Sequence, residues 1–244
     1  MTVISVINPN TSRSMTDAMA RSAREVAGPG TVIRAVTPGM GPASIESHYD
    51  HALSVPGVLA AVTAGERDGA DAHVIACFGD PGLDAAREIA AGPVVGIAEA
   101  AMHVATFLGR TFCVVTTLPR TFGHTRDLVR AYGFADACAG VHGCDIPVLD
   151  LDSPDARATI TKTCAAALEA DRCDVLVLGC AGMSGLPAAL TAELGVPVVD
   201  GVTAAVKMAE SLVTLGLWTS KRGEYAAPPP KPVTGLLSGF AQDG

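Results

Sequence analysis

The chain has 244 residues, 49% of them hydrophobic and only 4% aromatic, which suits one large globular domain or two small ones built on an aliphatic core. Its formal net charge of −8 is spread along the sequence and argues against a nucleic-acid partner. No apolar run approaches the ~20 residues of a membrane-spanning helix, and the start lacks a basic region and runs into the polar turn Asn8-Pro9-Asn10-Thr11-Ser12, so a cytoplasmic, reducing setting is expected.

Residues 3–7 read as a strand, followed by that turn and by a helix with Met15, Met19, Ala23 and Val26 at helical spacing, closed by Gly28-Pro29-Gly30. Residues 32–36 make a second strand. The Gly/Pro-rich stretch 37–46 is too long for a simple crossover turn and reads as a binding loop or lid. A helix over 56–68 leads to a strand ending at Cys77. A helix over 83–90, a strand over 94–97 and a helix over 98–108 complete the first half.

The second half repeats this pattern. Residues 112–117 form a strand, and Leu118-Pro119-Arg120-Thr121 stands where residues 8–11 stood. Then come a helix over 121–132, a strand near 146–149, a helix over 154–170, a strand ending at Cys180, a helix to 194, the strand 196–201 and a last helix to 215. Short strands alternating with helices imply βαβ units and parallel sheets. The expected fold is therefore α/β: two pseudo-symmetric parallel-sheet lobes with the active site in the cleft between them. Residues 1–110 form the first lobe, with its last helix free to cross over, 111–216 the second, and 217–244 an extension whose Pro-rich part is extended and packs on the body or a neighbouring subunit.

Seven cysteines, an odd number, show no Cys-x-x-Cys pair and no metal-ligand spacing, so free thiols and no metal are expected. Cys113, Cys164, Cys138, Cys144 and Cys173 read as small core hydrophobes. Cys77 and Cys180 differ. Each ends a buried strand over the start of the next helix, at corresponding places in the repeat, in Cys77-Phe78-Gly79-Asp80-Pro81-Gly82 and Gly179-Cys180-Ala181-Gly182-Met183. A buried cysteine taken alone is usually packing, but a matched pair flanked by glycine fits an acid and a base on opposite faces of one carbon. A helix N-terminus is expected to lower the thiol pKa. Gly79, Ala181 and Gly182 let a ligand approach the backbone.

The weaker candidates for substrate contact are Asn10, Thr116 and Thr117 at the strand-end turns, Ser44 and Ile45 on the loop, and Phe78 and Met183 beside the cysteines; turn capping or core packing competes in each case. Asp80 reads as a helix cap. His48, His51, His103, His124 and His142 show no ligand spacing and read as surface or structural residues.

The motifs Ile7-Asn8-Pro9-Asn10-Thr11-Ser12, Gly41-Pro42-Ala43-Ser44-Ile45-Glu46, Cys77-Phe78-Gly79-Asp80-Pro81-Gly82, Val95-Gly96-Ile97-Ala98-Glu99-Ala100-Ala101 and Leu178-Gly179-Cys180-Ala181-Gly182-Met183 together resemble the hydantoin/allantoin racemase branch of the aspartate/glutamate racemase superfamily. The resemblance spans about 3–216. It implies a cofactor-independent racemase of cyclic ureides with Cys77 and Cys180 as the acid/base pair. The amino-acid racemases of the superfamily carry Asn-Thr and Thr-His after their cysteines; Phe78-Gly79 and Ala181-Gly182 here disfavour aspartate or glutamate as substrate. Decarboxylase-like or maleate-isomerase-like chemistry and a non-catalytic binding module are the alternatives. A homo-oligomer is expected from the aliphatic-rich helices.

Overall fold

The computed structural model describes residues 1–241, so the last three positions of the 217–244 extension lie outside the described residues. The first half runs β1 (Thr2–Ile7), α1 (Arg13–Val26), β2 (Thr31–Val36), α2 (His48–Arg67), β3 (Ala72–Ile75), α3 (Leu83–Ile89), β4 (Val94–Gly96) and α4 (Ile97–Leu108). The second runs β5 (Phe112–Thr116), α5 (Phe122–Ala131), β6 (Cys138–Gly143), α6 (Ala156–Asp171), β7 (Val175–Leu178), α7 (Pro187–Leu194), β8 (Val198–Asp200) and α8 (Gly201–Thr214). Two parallel sheets result, with the matching orders β2-β1-β3-β4 and β6-β5-β7-β8. Helices cover both faces of each, which is why β3 and β7 are buried along their whole length rather than alternating.

The two sheets share one core. Ile4, Val6, Val74 and Ala76 of the first half and Val114, Val175 and Val177 of the second belong to a single buried cluster with α4 and α8 residues Ala101, Met102, Val202 and Ala205. The helices are exchanged across it: α8 packs on β1, β3 and β4, whereas α4 packs on β5, β7 and β8, and α4 and α8 pack on each other. Their starts touch closely. A Cβ at Gly201 would lie 2.5 Å from the Ile97 carbonyl oxygen, so only glycine fits there.

Three local readings change. Helix α2 begins at His48, two turns ahead of Pro56. Ser47 accepts the Asp50 N–H and donates its hydroxyl to the Asp50 carboxylate, a cap that starts the helix at His48 and leaves Pro56 inside it. The strand expected near 146–149 lies instead at Cys138–Gly143. Pro147 cannot donate to a ladder, and residues 148–150 form a single 3₁₀ turn; the actual strand, an edge with two glycines, carries little strand signal. The internal repeat is also shifted. The Ala76 N–H donates to Ile7 O and the Gly179 N–H to Val115 O, so Val115 is the counterpart of Ile7 and the turn leading to Pro119 is two residues longer than the one leading to Pro9. The extension folds back on α3: Lys221 Nζ donates to Arg87 O and Glu88 O, and Tyr225 Oη to Asp84 Oδ1.

The Gly201→Ala variant forces the two crossing helices apart and is expected to cost about 1–3 kcal/mol. Urea denaturation checks this, and an unchanged midpoint would show that the crossing is not tight.

Candidate active site

Cys77 and Cys180 each lie two residues beyond a strand, after Ile75 of β3 and Leu178 of β7, rather than on its last residue. Neither opens a regular helix. A turn follows Cys77 and α3 waits until Leu83; a single 3₁₀ turn, Ala181–Met183, follows Cys180 and α7 waits until Pro187. What faces each sulfur is one backbone N–H, that of Gly79 for Cys77 and that of Gly182 for Cys180.

This changes the sign of the expected electrostatics. Desolvation pushes the Cys77 thiol up to about 12; the Gly79 N–H opposes it, while Cys180 and Asp80 add to it. Burial likewise pushes Cys180 up to about 11 against the Gly182 N–H, with Cys144 and Glu46 adding negative potential. Both side chains keep a partly open face toward the cleft, but a single peptide dipole does not replace the hydration lost to the walls. The two groups rest as thiols near neutral pH.

Between them is a cavity of about 200 Å³ whose wall combines Asn10, Met15, Met19 and the loop residues Ile45 and Glu46 from one half with Thr116, Thr117, Arg120 and Val148 from the other. Of the residues expected from sequence, Asn10, Ile45, Cys77, Phe78, Gly79, Thr116, Thr117, Cys180 and Ala181 line it. Ser44 lies off the wall, Gly182 acts only through its N–H, and Met183 is fully buried in the core of the second lobe.

Several wall residues are fixed by their own partners. Asn10 is buried; its Oδ1 accepts from Asn8 Nδ2 and from the Ser12 N–H, both at 2.9 Å, and its Nδ2 donates to Met15 Sδ at 3.5 Å, which leaves its second amide N–H as the available donor. Thr116 Oγ1 donates to Gly179 O at 3.0 Å and so holds the peptide before Cys180. Asp80 caps a helix, but not the one that follows it. From a left-handed backbone conformation (φ 44°) it accepts the N–H groups of Ala98 and Glu99 at the start of α4, at 3.1 and 3.0 Å, and the Tyr132 hydroxyl at 2.7 Å. Burial raises its pKa to about 7, against those three donors.

The cavity wall also contains histidines that the sequence marks only as surface or structural residues. His48 and His51, one turn apart at the start of α2, and His124 on α5 all line the cavity. His51 Nε2 and His124 Nε2 donate to Gly79 O at 3.1 and 3.2 Å, with their ring centroids 4.8 Å apart. Burial and the neighbouring imidazoles hold the His124 pKa down, which favours its neutral form. Glu46 reaches across the cleft to accept the Val148 N–H at 2.6 Å. Its place in the Gly41–Glu46 motif and the i, i+3 spacing of the two histidines after the loop were the available signals; His124 offered none.

The chain matches the sequence model of the Asp/Glu/hydantoin racemase family over residues 4–209. It belongs to that family. A hydantoin racemase from Rhizobium meliloti is 49% identical over 234 residues, covering 95% of this chain and 97% of the relative, and one from Pseudomonas sp. is 46% identical over 242 residues, covering 98% and 97%. The solved structure of an allantoin racemase from Klebsiella pneumoniae is 52% identical, covers 99% of both chains and superposes with a TM-score of 0.97. For a member of the Asp/Glu/hydantoin racemase family, the two lobes and the cleft between them are the expected frame.

The raised thiol pKa values predict sluggish alkylation. With iodoacetamide, modification of Cys77 and Cys180 should accelerate about tenfold per pH unit between pH 7 and 10, since only the thiolate reacts. Peptide mapping by mass spectrometry checks this; a rate already flat above pH 8 would show a lowered pKa.

Proposed function

We propose that the chain is a racemase acting at C5 of 5-substituted hydantoins, allantoin among them, by proton transfer between Cys77 and Cys180. The observation that carries this reading is that the two thiols, one from each half of the repeat, line one cavity. The hydantoin and allantoin racemases to which the chain is similar support the substrate class. A volume of about 200 Å³ is below the ~300–1,000 Å³ of sites for drug-sized ligands and suits a five-membered ring with a short substituent.

In this reading one sulfur begins as thiolate and removes the C5 proton while the other, still a thiol, delivers a proton to the opposite face. The electron pair left at C5 delocalises onto the adjacent ring carbonyl, and Asn10 and Thr117, which line the cavity, carry the amide and hydroxyl donors that would stabilise it there. The product leaves the two sulfurs with their roles exchanged, so the reverse reaction uses the same groups and no cofactor enters the balance. A high thiol pKa makes thiolate scarce but strongly basic, which matches a weak carbon acid. Glu46, His48, His51 and Arg120 give part of the wall both donors and acceptors, as a ureido substituent requires.

Single variants test the assignment. Cys77→Ala and Cys180→Ala should each lower racemisation by at least about a thousandfold, read as circular-dichroism decay of enantiopure allantoin and 5-benzylhydantoin. Each variant should still exchange the C5 hydrogen for deuterium in one enantiomer without inverting it, the two variants choosing opposite hands, as followed by proton NMR in deuterated buffer. Racemisation near the wild-type rate in either variant would end the two-thiol mechanism. Absence of any exchange by the wild type would turn the reading toward a binding module.

A further inference from the structure

A second cluster of reactive side chains lies on the α6 side of the second sheet and has no part in the cleft wall. Cys113 on β5, His142 on β6 and Asp171 at the end of α6 each present one ligand atom, and these atoms all lie within 4.8 Å of one another. Asp171 Oδ2 accepts from Cys113 Sγ at 3.3 Å and from His142 Nε2 at 2.6 Å. Cys173, two residues past Asp171, has its thiol beside that of Cys113 and brings a second sulfur to the edge of the group.

The backbone is arranged around this convergence. Gly140 pairs with Cys113 in the ladder and His142 follows two residues on, so both lie on the same face of β6. A Cβ at Gly140 would lie 1.8 Å from Asp171 Oδ2, so the glycine leaves the space that the carboxylate occupies. Arg172 takes a left-handed conformation (φ 52°) that turns the chain sharply between Asp171 and Cys173.

A nucleophilic relay requires the imidazole between thiol and carboxylate. Here the carboxylate lies between the other two, so His142 cannot pass a proton from Cys113 to Asp171. One sulfur, an imidazole nitrogen and a carboxylate oxygen that converge within 4.8 Å of one another, with the Cys173 thiol beside Cys113 to supply a fourth ligand, are instead donors that suit a tetrahedral zinc ion. Bonds of about 2.0–2.3 Å put neighbouring ligands roughly 3.3–3.8 Å apart, so the Cys113–Asp171 spacing already fits and the His142–Asp171 pair must open by less than an ångström.

We propose that Cys113, His142, Asp171 and Cys173 form a structural zinc site that staples the edge strand β6 to β5, to the end of α6 and to the segment entering β7. On binding, each thiol loses its proton to solvent and each sulfur forms one bond to the metal. Asp171 enters as carboxylate and His142 as neutral imidazole, the proton that Nε2 shares with Asp171 being carried on Nδ1 once Nε2 binds the metal, so one Zn²⁺ and three anionic ligands leave the site with one net negative charge. The four residues span three elements and 61 sequence positions (113 to 173), so no short ligand spacing announces them.

The test uses a Cys77→Ser/Cys180→Ser background to remove the cleft thiols. Protein stripped with a chelator and dialysed should take up one equivalent of cobalt(II) chloride, giving thiolate-to-cobalt charge-transfer absorption in the near ultraviolet and the intense visible bands of a tetrahedral site, both abolished by zinc chloride. Adding His142→Ala, a half-buried position that leaves the core intact, should weaken cobalt binding more than tenfold, and zinc should raise the melting temperature of the parent but not of this variant. Cobalt bound without a thiolate band, as the cleft histidines would hold it, would overturn the proposal. So would unchanged affinity in His142→Ala, or a Cys113–Cys173 disulfide with no metal uptake. None of these readouts uses racemase turnover, so the zinc site and the cleft mechanism fail separately.

Discussion

Asp80 belongs to the turn that carries Cys77, yet its carboxylate accepts the first free N–H groups of α4, a helix that packs on the sheet of the other half. In the second half Asp200 caps α8 directly, accepting the N–H groups of Val202 and Thr203, and α8 packs back on the first sheet. Burial raises the pKa of both carboxylates while their helix N–H donors pull it down. A group in this balance holds its helix start firmly because the alternative is an unpaired buried acid. The position of Cys77 is thereby referred to the second lobe rather than only to its own strand.

The cleft thiols show the opposite balance. Desolvation exceeds the help from the Gly79 and Gly182 N–H groups. With its pKa pushed up to about 11, Cys180 is held as the thiol at neutral pH and its thiolate is a minor species. Under the proposed mechanism the proton donor is always present and the base is the scarce partner, so any wall group that moves negative potential toward or away from the sulfurs acts on the thiolate population. Glu46 both ties the loop to the Val148 N–H and adds to the Cys180 pKa.

Much of this was legible in the sequence because it depends on local pattern. Buried strands ending near Ile75 and Leu178, glycines after each cysteine and the repeat itself pointed to two lobes and a pair of cleft thiols. The contacts that the sequence does not announce depend on what meets across the fold. His124 reaches Gly79 from α5 and Glu46 reaches Val148 from the loop, and neither contact leaves a spacing in the chain. The sign of the thiol pKa shift was missed because the absence of a helix start and the dryness of the walls both follow from packing. The edge strand Cys138–Gly143 was missed because an edge with two glycines lacks the apolar run that marked β3 and β7.

The exchanged helices also set the order in which the chain can fold. Residues 2–108 contain the whole first sheet but not the helix that completes its inner face, since α8 arrives only with residues 201–214. On a growing chain Ile4, Val6 and Val74 must wait for Val202 and Ala205, at the cost of closing a loop of nearly the full length. The second lobe has the helix it needs from the start, because α4 precedes β5. Nascent protein is therefore most exposed to aggregation through the first sheet, late in synthesis, although that sheet is made first.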